Sequence, residues 1–313
     1  VHVPIPSRIL PWAGRLRLPV IAAPMTSVST PELVIGACRS GAIGSFPTHN
    51  AATTRELDAW LARAKSELAA EAAPVAPNLV VHRSNPRRDD DLAVLIHHKV
   101  ELVITSVGSP APVIEPLHNA GARVFADVAS LEHAWRALDA GADGLVLLTA
   151  GAGGQTGWAN PFAFVRAVRE NFDGPVVLAG GISDGRAILA AQILGADFAY
   201  LGTRFIATRQ SAAGDDYRDA LVAATLDDVR LSDRVGGVPA SLLSCWLDAQ
   251  STPGADGAGS GFTQKQLLAN REAWSAGHSV SGVHGVVDVA DLVEELLTGY
   301  TVARRELKLV IGN

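Results

Sequence analysis

The chain has 313 residues, 48% of them hydrophobic and 19% charged, so it carries enough apolar material for a large core. Its 26 basic and 32 acidic residues give a formal charge of −6, which argues against a general nucleic-acid binder but leaves room for one small anionic ligand held by backbone N–H groups. The two cysteines, Cys38 and Cys245, lie far apart without CxxC spacing, so neither a disulfide framework nor a zinc site is expected, and no metal is assigned. No basic segment followed by an apolar run opens the sequence, and the longest apolar runs are strand-sized. No signal peptide or membrane span is therefore expected, and the expected location is cytoplasmic.

Eight short apolar runs recur along the chain: Pro19–Met25, Ala42–Phe46, Val75–His82, Glu101–Val107, Arg123–Val128, Gly144–Thr149, Pro175–Ile182 and Phe198–Phe205. They are near-continuous rather than alternating, which suits parallel strands buried on both faces. Helix signals separate them. Thr30-Pro31-Glu32 offers an N-cap, a first-turn proline and an early acid; Thr54, Ser130 and Ser183-Asp184 open further helical stretches, and Pro161 starts another. Gly121, Gly141 and Gly195 each follow a helical pattern and precede a strand, as left-handed C-caps do.

Repeated strand–helix units predict an α/β fold, and eight of them favour a closed (β/α)8 TIM barrel. An open doubly wound sheet is the alternative, but the first run leads into Ala23-Pro24-Met25-Thr26 rather than a GxGxxG turn. The expected division is a ligand-binding barrel over residues 1–210 and a small C-terminal helical extension over 211–313, packed on or over the barrel mouth. Residues 206–250 read as helical and polar, 251–261 as a flexible Gly/Ser/Ala loop, and Thr263–Ala276 and Asp288–Tyr300 as two more helices.

In such barrels the site lies at the C-terminal strand ends, and phosphate often binds after the last two strands. Those ends read Leu178-Ala-Gly-Gly-Ile182 and Tyr200-Leu-Gly-Thr-Arg204. Gly180, Gly181 and Gly202 let backbone N–H groups approach a phosphate, and Thr203 adds a hydroxyl; the plainer alternative is tight turns alone. Ala150-Gly-Ala-Gly-Gly-Gln-Thr-Gly157 allows close passage past a flat ligand, or makes a lid. Asn78 needs hydrogen-bond partners inside an apolar strand. His82, at the strand end, suits acid/base work or a structural role.

At these segments the sequence resembles the nitronate monooxygenase family, formerly called 2-nitropropane dioxygenase, a group of FMN-dependent barrels. The matching stretches run from about Leu18 to Ser279: Ala22-Ala-Pro-Met-Thr26, Asn78-Leu-Val-Val-His-Arg-Ser-Asn-Pro86, Ile104-Thr-Ser-Val-Gly108, Gly151-Ala-Gly-Gly154, Ala179-Gly-Gly-Ile-Ser183, Leu201-Gly-Thr-Arg-Phe205 and Trp274-Ser-Ala-Gly277. The resemblance implies that Ala23, Pro24 and Met25 line the flavin ring and that Asn78 bonds its pyrimidine edge. Gly153 and Gly154 would lie beside the cofactor, and Gly180, Gly181, Gly202 and Thr203 would hold the FMN phosphate. Asp127 closes the fifth run, where some relatives carry Lys and others Asp. It is assigned to the cofactor side, either orienting a neighbour or capping the next helix.

One position departs from the pattern. The family's glycine motif usually continues with His, and here Gln155 stands there; Gln cannot take a proton from carbon. Gln155, His82 and His278 are the candidates near the reaction, with a Gln/His exchange between 155 and 278 as one hypothesis. The expected activity is FMN-dependent oxidation of alkyl nitronates with O2. Alternatives are an FMN-dependent NAD(P)H reductase of an enoyl or conjugated carbonyl, a specialised biosynthetic flavoenzyme, a non-catalytic flavin binder, or a flavin-free isomerase or lyase using Asp127, His82 or Glu101. The expected partners are a small-molecule substrate with O2 or NAD(P)H, not nucleic acid or membrane, in a monomer or homodimer.

Overall fold

The computed structural model describes residues 10–250 and 261–311. Eight parallel strands close into a barrel: β1 (Val20–Ala22), β2 (Ile43–Pro47), β3 (Val75–Val80), β4 (Leu102–Ser106), β5 (Arg123–Val128), β6 (Gly144–Leu148), β8 (Val176–Ala179) and β9 (Phe198–Leu201). The short β7 (Gly154–Gln155) lies outside it. Closure is the pairing of β9 back onto β1, with Val20 opposite Ala199 and Ala22 opposite Leu201. Every residue of β2, β4, β6, β8 and β9 is buried, because the barrel interior takes one face and the helices the other.

The helices start where their caps stand. Thr30, Ser130 and Asp184 accept the backbone N–H of Leu33, His133 and Ala187. The second helix, Thr54–Glu67, is capped by Thr53, one residue before the expected Thr54. Gly121, Gly141 and Gly195 take positive φ of 89°, 99° and 121°, as C-caps before a strand require.

The extension over 211–313 divides between two places. Its last helix, Val289–Ile311, is longer than the expected Asp288–Tyr300 and packs on the outer layer against Gly185–Leu194. Val289, Leu292, Val293, Leu296 and Tyr300 join the barrel core. Contact there is so close that a Cβ on Gly185 would collide with the backbone of Tyr300. The segment before it forms a second cluster in which Tyr217, Leu221, Leu242, Leu243 and Trp246 pack with Ile206 and Val28.

That segment is not purely helical. β10 (Val229–Ser232) and β11 (Ala240–Leu243) pair antiparallel, and β11 also pairs with β7. Four-residue strands are too short to show an alternating pattern, and the partner of β11 sits in a distant glycine loop. The last barrel strand also ends early, at Leu201, and Thr203–Ile206 turns into a short helix. Within 263–276 only Gln264–Ala269 is helical. Most of the expected loop 251–261 lies outside the described residues.

Candidate active site

A cavity of about 210 Å³ opens at the C-terminal strand ends and is walled partly by the second cluster. The structure brings eleven expected residues to its lining: Ala23, Pro24 and Met25 after β1, Asn78 from β3, Asp127 from β5, Gly153 and Gly154, Gly180 and Gly181 after β8, and Gly202 and Thr203 after β9. Gln155 lines it too; His82 and His278 do not.

The two glycine turns on neighbouring strands form one wall. Gly180 (φ 128°) and Gly181 (φ 70°) hold left-handed backbone that side-chain-bearing residues rarely adopt. A Cβ on Gly180 would also strike Thr149 Oγ1, which donates to the Ala179 carbonyl at 2.6 Å. Around Gly181 and Gly202 there is room instead: a Cβ on Gly181 would meet nothing within 4 Å, and one on Gly202 would first meet Met25 Sδ at 3.5 Å. Thr203 Oγ1 accepts the Gly277 N–H at 3.0 Å, which leaves its own proton to donate.

The turn after β1 is pinned by a residue that sequence reasoning missed. Asn50 donates to the Met25 and Ser29 carbonyls, both at 2.9 Å, and accepts the Ser27 N–H at 3.0 Å, holding Ser27 at φ 60°. Asn78 is buried, and its Oδ1 accepts from Ser106 Oγ at 3.1 Å. Its amide Nδ2 has no protein partner among the described residues, so two N–H donors are left for a ligand.

His49 is the imidazole in the lining, and it was not singled out from the sequence. Its Nε2 shares a hydrogen bond with Thr26 Oγ1 at 3.0 Å, while Nδ1 is buried without a partner. Burial, helped by the positive charges of Arg271 and Arg87, pushes its pKa down to about 4, so the ring is neutral at pH 7. His49 stands just past the end of β2, the position that drew attention to His82 after β3.

His82 sits behind the lining. Its Nδ1 bonds Ser84 Oγ at 2.8 Å, and its ring meets Phe262 edge-on at 5.4 Å; Phe262, not His82, reaches the cavity. His278 is exposed, with its backbone N–H on the Gly151 carbonyl at 2.9 Å. The helix after β5 is capped by Ser130, which removes the capping alternative for Asp127. Burial pushes the Asp127 carboxyl up to about 8. A possible metal-ligand group, Asp58, His97 and His98, has its ligand atoms within 4.8 Å of one another, but none of the three lines the cavity.

Fold and site together define a (β/α)8 barrel with a ligand cavity at its mouth and a glycine-built wall after the last two strands. The chain belongs to the nitronate monooxygenase family, whose model matches residues 50–251. It is 31% identical over 258 residues to a nitronate monooxygenase of Paraburkholderia phytofirmans, covering 68% of this chain and 70% of that protein. It is 30% identical over 227 residues to a (3aS,4S,5R,7aS)-5-hydroxy-7a-methyl-1-oxo-octahydro-1H-indene-4-carboxyl-CoA dehydrogenase of Rhodococcus jostii. That match covers 72% of this chain but only 62% of the relative's length. Among solved structures, nitroalkane oxidase from Streptomyces ansochromogenes superposes with a TM-score of 0.80 at 25% identity, covering 96% of this chain and 99% of that one. FabK from Thermotoga maritima shares the fold, with a TM-score of 0.81 at 24% identity over 96% of this chain and 97% of that one. No helix among the described residues is long and apolar enough to cross a membrane.

Proposed function

We propose that this chain binds FMN and oxidises alkyl nitronates with O2 to a carbonyl product and nitrite. The observation that carries this reading is the meeting of Gly180-Gly181 and Gly202-Thr203 on neighbouring strands at one cavity wall, in a member of the nitronate monooxygenase family. The residues fit a flavin phosphate. Space stands open beside Gly181 and Gly202, and Thr203 has a proton to give an anionic oxygen. The orphaned donors of Asn78 fit the polar edge of a flat ring, and Ala23, Pro24 and Met25 offer it a largely apolar wall.

The flavin, when bound, supplies the electron transfer. The chain's own groups bind and orient. Gln155 donates a hydrogen bond to the anionic nitro oxygens but takes no proton from carbon. His49, held neutral by burial, is a weak base. The substrate therefore has to arrive already deprotonated, which a nitronate does and a neutral nitroalkane does not.

Oxygen uptake by the FMN-loaded protein tests this. The expected rate with a pre-formed nitronate exceeds that with the neutral nitroalkane by about 100-fold or more, the scale of a missing general base. Gln155→His is expected to narrow that ratio. No uptake with any nitronate would overturn the reaction. A second reading, a dehydrogenase or reductase of an acyl-CoA or conjugated carbonyl substrate, draws support from the 30% identity to the Rhodococcus jostii dehydrogenase. NAD(P)H consumption without nitronate-dependent oxygen uptake would select it.

A further inference from the structure

Besides His49 Nδ1 and the Asn78 amide, two more side chains in the cavity wall have polar atoms without a partner among the described residues. Asp127 stands near the end of β5 and Tyr200 near the end of β9, and both line the cavity. Asp127 Oδ1 and the Tyr200 hydroxyl are each buried without a hydrogen-bond partner. Finished folds leave few such atoms, and each calls for a reason such as strain, a bound water or ion, or a catalytic contact; these two face a cavity.

The surroundings decide their charge. The strands beside β5, Leu102–Ser106 and Gly144–Leu148, carry no acid, base or phenol. Glu115 and His118 belong to the helix Ala111–Asn119, and Glu132, His133, Arg136 and Asp139 to Leu131–Asp139; both helices lie outside the barrel. Among the described residues the cavity's other titratable side chains are His49, Tyr217 and Arg271. Each is engaged elsewhere, with Thr26, the Ser275 carbonyl and Ser27 respectively. Among the described residues no cation offsets the partial burial of Asp127, whose Oδ1 is buried while the residue keeps some exposure in the cavity, and a partly desolvated carboxylate without a partner is costly. Burial and the nearby Asp127 both push the Tyr200 phenol well above its ordinary range. Near pH 7 burial thus favours the protonated form of both groups, and no acceptor among the described residues takes those protons.

We propose that Asp127 and Tyr200 are a neutral pair of O–H donors that bind the electron-rich carbonyl and ring-nitrogen edge of the flavin, with Asp127 acting as a carboxylic acid rather than a carboxylate. This rests on the flavin reading above and adds a partner, Tyr200, that lies outside the stretches quoted for the resemblance. It also gives cofactor affinity a pH dependence. Burial already pushes Asp127 up to about 8, and a ring laid over it removes more water. Above that pH, binding must take up a proton at Asp127, so affinity falls as pH rises.

The experiment is titration of the flavin-free protein with FMN, followed by fluorescence quenching, from about pH 6.5 to about pH 9. For the wild type, Kd is expected to stay level to about pH 7.5 and then rise, approaching tenfold per pH unit. Asp127→Asn keeps an N–H donor that does not titrate, so its Kd is expected to stay level throughout. Tyr200→Phe is expected to bind FMN roughly 5- to 10-fold more weakly, a neutral hydrogen bond's worth, at every pH, with the wild-type slope kept. A wild-type Kd that stays level through about pH 9 overturns the donor pair without reference to any variant. Equal slopes in wild type and Asp127→Asn also overturn it and leave the flavin reading standing. No FMN binding at any pH overturns both.

Discussion

After β8 and β9 the cavity wall is main chain: two left-handed glycines, a third without a Cβ, and a threonine hydroxyl. Elsewhere, apart from the glycine loop that carries Gly153 and Gly154, it is mainly side chain, with His49 from the segment after β2, Phe262 and Arg271 from the second cluster's segment, and Asp127 and Tyr200 from strand ends. The first wall is one local motif written twice. Gly180 has no room for a side chain, whereas space stands open beside Gly181 and Gly202, and the N–H groups and one hydroxyl proposed to meet an anion do not titrate near neutral pH. The second is assembled from segments far apart in the chain, and its chemistry depends on how far burial has moved each titratable group. On the reading proposed above, the first wall holds the ligand independently of pH and the second makes that hold depend on it.

Substitutions at the two walls should fail in different ways, and the largest expected effect lies in the glycine wall. Gly180→Ala combines strained backbone with a collision at Thr149 Oγ1, so it is expected to cost about 2–5 kcal/mol of folding stability, read by chemical denaturation. A stability equal to wild type would break the claim that this turn requires glycine.

Next comes His49. Its folded pKa is depressed from 6.5 to about 4, so the unfolded chain binds the extra proton first as pH falls. The neutral ring's contribution is full above about pH 6.5 and is lost on the way down to about pH 4, by up to about 3 kcal/mol. The Tm of wild type should fall across that window more steeply than that of His49→Gln. Parallel curves would mean that His49 titrates normally in the fold.

The smallest change separates the two walls most cleanly. At Gly202 the backbone is ordinary and a Cβ first meets Met25 Sδ at 3.5 Å, so Gly202→Ala should leave Tm near wild type. The methyl would occupy room assigned to the phosphate, and FMN affinity is expected to drop about tenfold, or ~1.4 kcal/mol. Lost stability with unchanged FMN binding would reverse the roles given to Gly180 and Gly202.

The contrast also explains what was legible in the sequence. Runs buried on both faces announce themselves as apolar strings, so Arg123–Val128 is found to the residue and the other seven strands within a few. Glycine turns are equally local. The missed elements share a different origin. β10 and β11 are four residues each, and β11 is completed by Gly154–Gln155 from across the fold. His49 matters through burial and two distant arginines, and Asn50 through the turn it pins. Tyr200 looks like one more aromatic in a strand until its hydroxyl proves to have no partner. Local repetition is visible in one dimension, whereas side chains gathered by closure of the barrel are not.

The proposed chemistry needs the flavin, so the most direct test is the visible absorption spectrum of the purified protein, with the chromophore released by denaturation and identified. The expected result is a flavin spectrum and free FMN, restored when FMN is added back to stripped protein. A colourless protein that takes up no FMN would contradict the central claim and leave a phosphate-binding barrel without redox chemistry.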